Sequence, residues 1–403
     1  MPAGASIRER FPFTGHLQGG ILVFGIPLEF LLLGLTLAGV AIFHERALSV
    51  SLTGLASIAI LKACHGFDLA RHLRGEASLI VNLVGLLLGF AVLAHHFEAS
   101  RVPDLMPRLL PDGWKGPFLL LILVFLLSTF LDNIAAALIG GTVAFTVFRG
   151  RVHIGYLAAL TAASNAGGAG SVLGDTTTTM MWIAGIPAGD ILHAFIGSFA
   201  ALICFGIPAA WQQQRYQGIS REPVAGIRID WRRLAISALV LTAAAFANLW
   251  LGFPAAGVWA MLILGLPFLP VPWKILPGAL RGAAFLSALV LCASLMPVAS
   301  LPAASWPSAL MLGFVSAFFD NIPLTRLALD QGGYDWGVLA YAVGFGGSLL
   351  WFGSSAGVAL SARFGQMRSA GKWLRHGWHV AIAYIIGFAV LLAAAGWHPP
   401  VTP

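Results

Sequence analysis

The amino-acid sequence predicts an all-α polytopic membrane protein built from two inverted halves. Three observations carry this: the composition, a train of apolar runs near membrane-spanning length, and a motif that occurs twice. Of 403 residues, 58% are hydrophobic and 10% charged, whereas a soluble domain carries about a quarter charged residues. A helix needs about 20 apolar residues to cross the hydrocarbon layer, and runs near that length recur along the chain. The formal charge of +7 does not point to nucleic acid. The Lys and Arg fall in the short gaps between apolar runs, where they orient a chain in the membrane, and no basic patch is interleaved with aromatics. Cys64, Cys204 and Cys292 lie singly in apolar stretches without metal-ligand spacing and read as small core residues. The opening residues 1–20, with Arg8 and Arg10, lead into an apolar run too long for a signal peptide, which reads as a first membrane helix.

Taken in order, the apolar runs are 21–43, 49–61, 77–94, 117–148, 154–186 and 191–210, then 234–251, 255–269, 282–299, 308–327, 337–362 and 378–395. Between the two sets lies the one long polar stretch, 212–233, which contains five arginines and reads as a cytoplasmic basic linker. The chain thus divides into a first membrane half, 1–211, the linker 212–233, and a second membrane half, 234–403.

The halves share a motif. Ser128-Thr129-Phe130-Leu131-Asp132-Asn133-Ile134 answers Ser316-Ala317-Phe318-Phe319-Asp320-Asn321-Ile322, and the next run of each half is glycine-rich in one rhythm, Gly167-Gly168 with Gly174 against Gly346-Gly347 with Gly353. Two matched blocks in the same order indicate an internal repeat, which in transporters is commonly inverted. If the Asp-Asn segments dip into the membrane and return, each half crosses five times and the halves are inverted. Most of the 23 Lys and Arg then fall on the cytoplasmic side. Full crossing by both segments places fewer there and strands the last basic cluster outside.

Inside the apolar runs stand four acids, Glu29, Asp132, Asp175 and Asp320. A bare carboxylate in hydrocarbon costs roughly 2.5 to 3.5 kcal/mol even on the mildest scale, so each aspartate needs a cavity, a partner or an ion. The competing reading of Asp132 and Asp320 is a helix N-cap, and the two roles are compatible. Glu29 has no counterpart in the second half and reads as interfacial. Asn165-Ala166-Gly167-Gly168-Ala169-Gly170-Ser171 allows a helix to break and expose carbonyl oxygens, which membrane depth tolerates only beside a cavity; close helix packing is the alternative use of such glycines. Carbonyl, amide and hydroxyl oxygens with a carboxylate suit a hard cation. Asp175 and Thr176, opening a run of four threonines, are matched in the second half by Ser354-Ser355, so the site is asymmetric. Together the candidate ion-binding residues are Ser128, Asp132, Asn133, Asn165, Gly167, Gly168, Asp175, Thr176, Ser316, Asp320, Asn321, Gly346, Gly347 and Ser348. Most histidines sit at segment ends and read as interfacial.

These motifs resemble the NhaD-type sodium/proton antiporters of the ion transporter superfamily, whose relatives include arsenite and citrate permeases. The likeness covers about 117–186 and 308 to the last helix. It implies a re-entrant hairpin and a discontinuous transmembrane helix in each half, with ion ligands at Ser128, Asp132, Asn133, Gly167, Ser316, Asp320, Asn321 and Gly346. Na+ would sit at Asp132, Asn133, Asp320 and Asn321. The family commonly keeps a glutamate in the helix before the first hairpin, and the run 77–94 has no acid. The Ala135-Ala136-Ala137 run is also poorer in hydroxyls than its family counterpart.

The resulting expectation is a multi-pass protein of a bacterial inner membrane that exchanges Na+ or Li+ for H+, not an enzyme. A carboxylate in a low-dielectric site holds either a proton or a cation and not both, and exchange follows from that exclusivity. The implied partners are Na+ and H+ as cargo and the lipid bilayer, with no cofactor and no nucleic acid; a homodimer is compatible. The alternative is a Na+- or H+-coupled permease for an organic acid or oxoanion. That would call for an arginine at depth, and Arg326 falls at a segment end. A remoter alternative is an intramembrane aspartyl protease built on Asp132 and Gly174-Asp175, which leaves the repeated Asp-Asn pair unexplained.

Overall fold

The computed structural model describes residues 22–23, 25–220, 226 and 228–400; Arg8, Arg10, Ile21 and the linker residue Arg221 lie outside them. A two-residue antiparallel pairing, β1 (Leu22–Val23) with β2 (Ile26–Pro27), precedes α1 (Leu28–Ile42), α2 (Ala47–Cys64), α3 (Leu69–Ala99) and α4 (Met106–Leu109). The expected run 21–43 is therefore helical only from Leu28, because Gly25 turns the chain at a φ of 81° and Pro27 stands at the cap position.

The longest apolar runs are each two helices. Residues 117–148 form α5 (Lys115–Ser128) and α6 (Asn133–Val147), and 154–186 form α7 (Ile154–Ala169) and α8 (Thr176–Ile183). After α9 (Gly189–Leu192) and α10 (Ala194–Tyr216), the second half opens with α11 (Trp231–Leu251), α12 (Pro254–Gly265) and α13 (Leu276–Ser294). The runs 308–327 and 337–362 then break in the same way, into α14 (Trp306–Ser316) with α15 (Asn321–Gln331) and α16 (Trp336–Gly346) with α17 (Ser355–Arg363). The chain closes on α18 (Ala370–His376) and α19 (Trp378–Ala395). The polar stretch 212–233 is narrower as a connection than its composition suggests. α10 carries on to Tyr216, where Gln213 is buried and bonded to the carbonyl of Arg151, and Asp230 caps α11 from Arg232 N–H onward.

Among the described residues six helices are long and apolar enough to cross a membrane: Ala47–Cys64, Leu69–Ala99, Gly189–Tyr216, Trp231–Leu251, Trp273–Ser294 and Trp378–Ala395. Large apolar side chains face outward on these elements, as Leu249 and Trp250 do on α11, a surface that hydrocarbon accepts and water does not. The protein is an all-α integral membrane protein.

α10 and α19 run from one end of the bundle to the other. At one end the Trp114 ring, before α5, stacks on Trp211 of α10 at 5.8 Å. There too, Ser220 N–H donates to the carbonyl of Val147, the last residue of α6 (2.8 Å). Gln366, past the end of α17, donates to the carbonyl of Val152 at 2.7 Å. At the other end Gln331, closing α15, donates to the carbonyl of Pro302, just before α14 (2.6 Å). His193 meets Asp335 there at 2.7 Å, and His398 N–H donates to the same carboxylate at 2.8 Å. These contacts bring the start of α5 and the finish of α6 near the C-terminal end of α10, and the finish of α15 beside the approach to α14.

Candidate functional site

Four helix N-termini are exposed by the breaks in the long runs. Asp132 is the N-cap of α6 and accepts from Ile134 N–H at 3.2 Å; Asp320 is the N-cap of α15 and accepts from Ile322 N–H at 3.1 Å. The capping role expected as an alternative is real for both. Asp175 stands at the N-cap of α8 and Ser354 at that of α17, where its hydroxyl accepts from Gly357 N–H. Three of the four N-termini, each a partial positive charge, therefore face a carboxylate, and the fourth faces a hydroxyl.

Between these ends runs one buried polar chain. Asn133 Nδ2 donates to Asn165 Oδ1 and to Asp175 Oδ1, both at 3.1 Å. Asn321 Nδ2 donates to Asp175 Oδ2 at 3.3 Å, and Asn165 Nδ2 donates to Ser348 Oγ at 2.9 Å. Thr176 Oγ1 lies 3.4 Å from Asp175 Oδ1. The asparagines of both Asp-Asn pairs thus turn to Asp175, while Asp132 and Asp320 are half-buried at the flanks. Ser355 Oγ donates to Asp320 Oδ2 at 3.0 Å, and Asp320 lines a largely apolar cavity of about 230 Å³ with Leu37, Phe285, Phe319 and Phe352. Among the described residues no Lys, Arg or His ion-pairs or hydrogen-bonds with Asp132, Asp175 or Asp320, and no three His, Cys, Asp or Glu side chains converge as a metal-ligand cluster.

The other expected residues are placed by packing. A Cβ on Gly167 would strike the carbonyl of Phe125, and one on Gly346 that of Gly313; a Cβ on Gly168 would lie 2.7 Å from Gly174 O and 2.9 Å from Asp175 Cβ, and one on Gly347 2.8 Å from Gly353 O and 3.1 Å from Ser354 Cβ. These glycines let α7 lie on α5 and α16 on α14 and close each break on itself. Ser316 Oγ donates to the carbonyl of Val343 at 2.9 Å, whereas Ser128 Oγ is buried without a partner.

Several charged and polar side chains lie elsewhere than their positions in the sequence suggest. Glu29, in the first turn of α1, is buried against Lys62 at 3.1 Å. α3 begins eight residues before the apolar run 77–94 and so carries a buried acid, Glu76. Arg326 is not at a segment end but inside α15, paired with Glu76 and Asp330 at 2.8 Å each. Two histidines expected at the interface are buried, His96 beside Arg233 and His379. Of the cysteines, all free, Cys292 is buried and Cys64 is exposed. Compared with known proteins, the chain matches no protein-family model and no curated protein.

Proposed function

We propose that the protein is a secondary transporter that exchanges Na+ or Li+ for H+ across its membrane. The observation that carries this reading is Asp175, a buried carboxylate that accepts hydrogen bonds from the asparagines of both Asp-Asn pairs. Two further carboxylates flank it, and among the described residues no basic side chain compensates any of the three. Oxygen-rich, anionic and without soft ligands, such a centre favours a hard monovalent cation or protons in its place. The motif resemblance to NhaD-type antiporters points the same way.

The architecture behind this reading is a pair of inverted repeats, α5–α6 and α14–α15 being re-entrant hairpins and α7–α8 and α16–α17 discontinuous helices. Its support is that the start of α5 and the finish of α6 lie together near the C-terminal end of α10, that Gln331 at the finish of α15 bonds the carbonyl of Pro302 just before α14, and that the two halves carry matched caps and matched glycine contacts. The end bearing Arg149, Arg151, Arg363, Arg368, Lys372 and Arg375 is then cytoplasmic by the positive-inside rule.

The convergence of four helix N-termini favours a second reading, an anion permease. Against it, protein carboxylates already occupy three of those ends, and Arg326, the buried arginine inside α15, is matched by Glu76 and Asp330. A pH-gradient assay in everted vesicles separates the two readings: exchange predicts collapse of the gradient on adding Na+ or Li+ without an organic anion. Collapse only with citrate-like or oxoanion substrates would replace it with the permease.

A further inference from the structure

A charge cluster apart from the polar centre does not balance. On α15, Arg326 Nε donates to Asp330 Oδ2 at 3.0 Å and Nη2 lies 2.8 Å from Asp330 Oδ1, so the guanidinium forks onto both oxygens of one carboxylate. The same Nη2 donates to Glu76 Oε1 on α3 at 2.8 Å. Glu76 Oε2 is buried and has no hydrogen-bond partner. The three side chains are 2%, 8% and 4% exposed.

An arginine is always charged, and here one faces two carboxylates. The two-point contact makes Asp330 its counter-ion. Glu76 is then the surplus charge, and a buried charge without compensation costs several kcal/mol. Among the described residues, the neighbouring groups do not supply a cation. Lys62 of α2 is matched by Glu29, and His72, one turn before Glu76 on α3, is hydrogen-bonded to Ser294 Oγ of α13 at 3.0 Å. A proton on Oε2 removes the surplus charge while Oε1 goes on accepting from Arg326.

We propose that Glu76 is a proton-binding residue, neutral in the state shown with its proton on Oε2, and that it ties proton uptake to the position of α15. α15 carries Arg326 five residues beyond Asn321, so a change in the Glu76 bond is felt at the amide that contacts Asp175. Release of the proton leaves two carboxylates competing for one guanidinium and drives α3 and α15 apart. The use of this proton in transport rests on the exchange reading above; the proton itself does not.

The test is infrared difference spectroscopy of the purified protein in lipid, reading the carbonyl stretch of a buried carboxylic acid and its shift in D2O. The spectrum of the wild type minus Glu76→Gln should show one such acid. Asp330→Asn should lose the same band, because Glu76 then becomes the sole counter-ion of Arg326 and ionises, while Asp330→Glu should keep it. A difference spectrum showing an ionised carboxylate at Glu76, or an Asp330→Asn protein that retains the acid band, overturns the proposal. If Glu76→Gln fails to fold, Glu76→Asp should move the acid band while Asp330→Glu leaves it in place; the reverse assigns the proton to Asp330 and overturns the proposal. Vesicles report separately: an acid band with no Na+-dependent exchange in the wild type leaves the proton site standing and removes the exchange reading. Exchange in the wild type without the band does the opposite.

Discussion

Replacing Asp175 by Asn preserves the shape of the side chain and turns one of its two acceptors into a donor. In the wild type both oxygens are used, Oδ1 by Asn133 and Oδ2 by Asn321. The variant can accept from only one of these amides, and its own NH2 must face the other. Losing one hydrogen bond to a charged acceptor costs about 1.5–3 kcal/mol, and at about 1.4 kcal/mol per tenfold this corresponds to roughly 10- to 100-fold in affinity. The half-maximal Na+ concentration for collapse of a pH gradient in everted vesicles should rise by that factor, with the protein still inserted. The same concentration in variant and wild type, to within about twofold, a difference of only a few tenths of a kcal/mol, would refute the reasoning. It would mean that the Asn133–Asp175–Asn321 chain holds the two halves together without touching the ion.

Asp132→Asn and Asp320→Asn keep a residue able to cap and remove the charge, so each should abolish exchange while leaving thermal unfolding in detergent near that of the wild type. Gly168→Ala places a methyl 2.7 Å from Gly174 O and 2.9 Å from Asp175 Cβ and should cost about 1–3 kcal/mol by overpacking; Gly278→Ala, with nothing within 4 Å, is the neutral control in the same unfolding assay. Outside the membrane-spanning segments, burial pushes the Asp335 carboxyl up, but hydrogen bonds from His193, His398 N–H and Val338 N–H outweigh it and hold the group below the usual range. Its folded value being the lower one, the stabilisation is complete above the unfolded value of about 3.9 and is lost as pH falls through the folded value. Thermal midpoints measured from neutral to acid pH should fall less steeply in Asp335→Asn. Single cysteines at Gly150 and Arg368 should react with an impermeant thiol reagent from the same side of the membrane; labelling from opposite sides would sink the hairpin topology.

The helix breaks were legible because their residues cannot do otherwise: Asp132 and Asp320 stand where a carboxylate ends one helix and caps the next, and the Gly167-Gly168 and Gly346-Gly347 doublets lie where backbones nearly touch. The polar centre was half legible. Composition marks Asn133, Asn165, Asp175 and Asn321 as costly at depth, yet which of them meet depends on how the two halves pack, and local pattern carries no record of that. Glu76 escaped notice because hydropathy begins the third run one residue after it, although the helix begins at Leu69. Arg326 was misplaced for the mirror reason: the apolar run fades at Leu327, whereas α15 continues to Gln331, sheltered by the acids that neutralise its arginine. Charged residues that pair with one another blur the edges of a hydrophobic run without marking the edge of a helix.

The counterpart of Asp175 in the second half is a hydroxyl, Ser354. If the protein exchanges ions as proposed and its halves swap roles in each cycle, a carboxylate takes the place of an alcohol, and the inward-open and outward-open forms are not mirror images in energy. On the proposed exchange reading the protein would then have a built-in resting side, and turnover started from one compartment should be faster than turnover started from the other even when the ion gradients are equal and opposite.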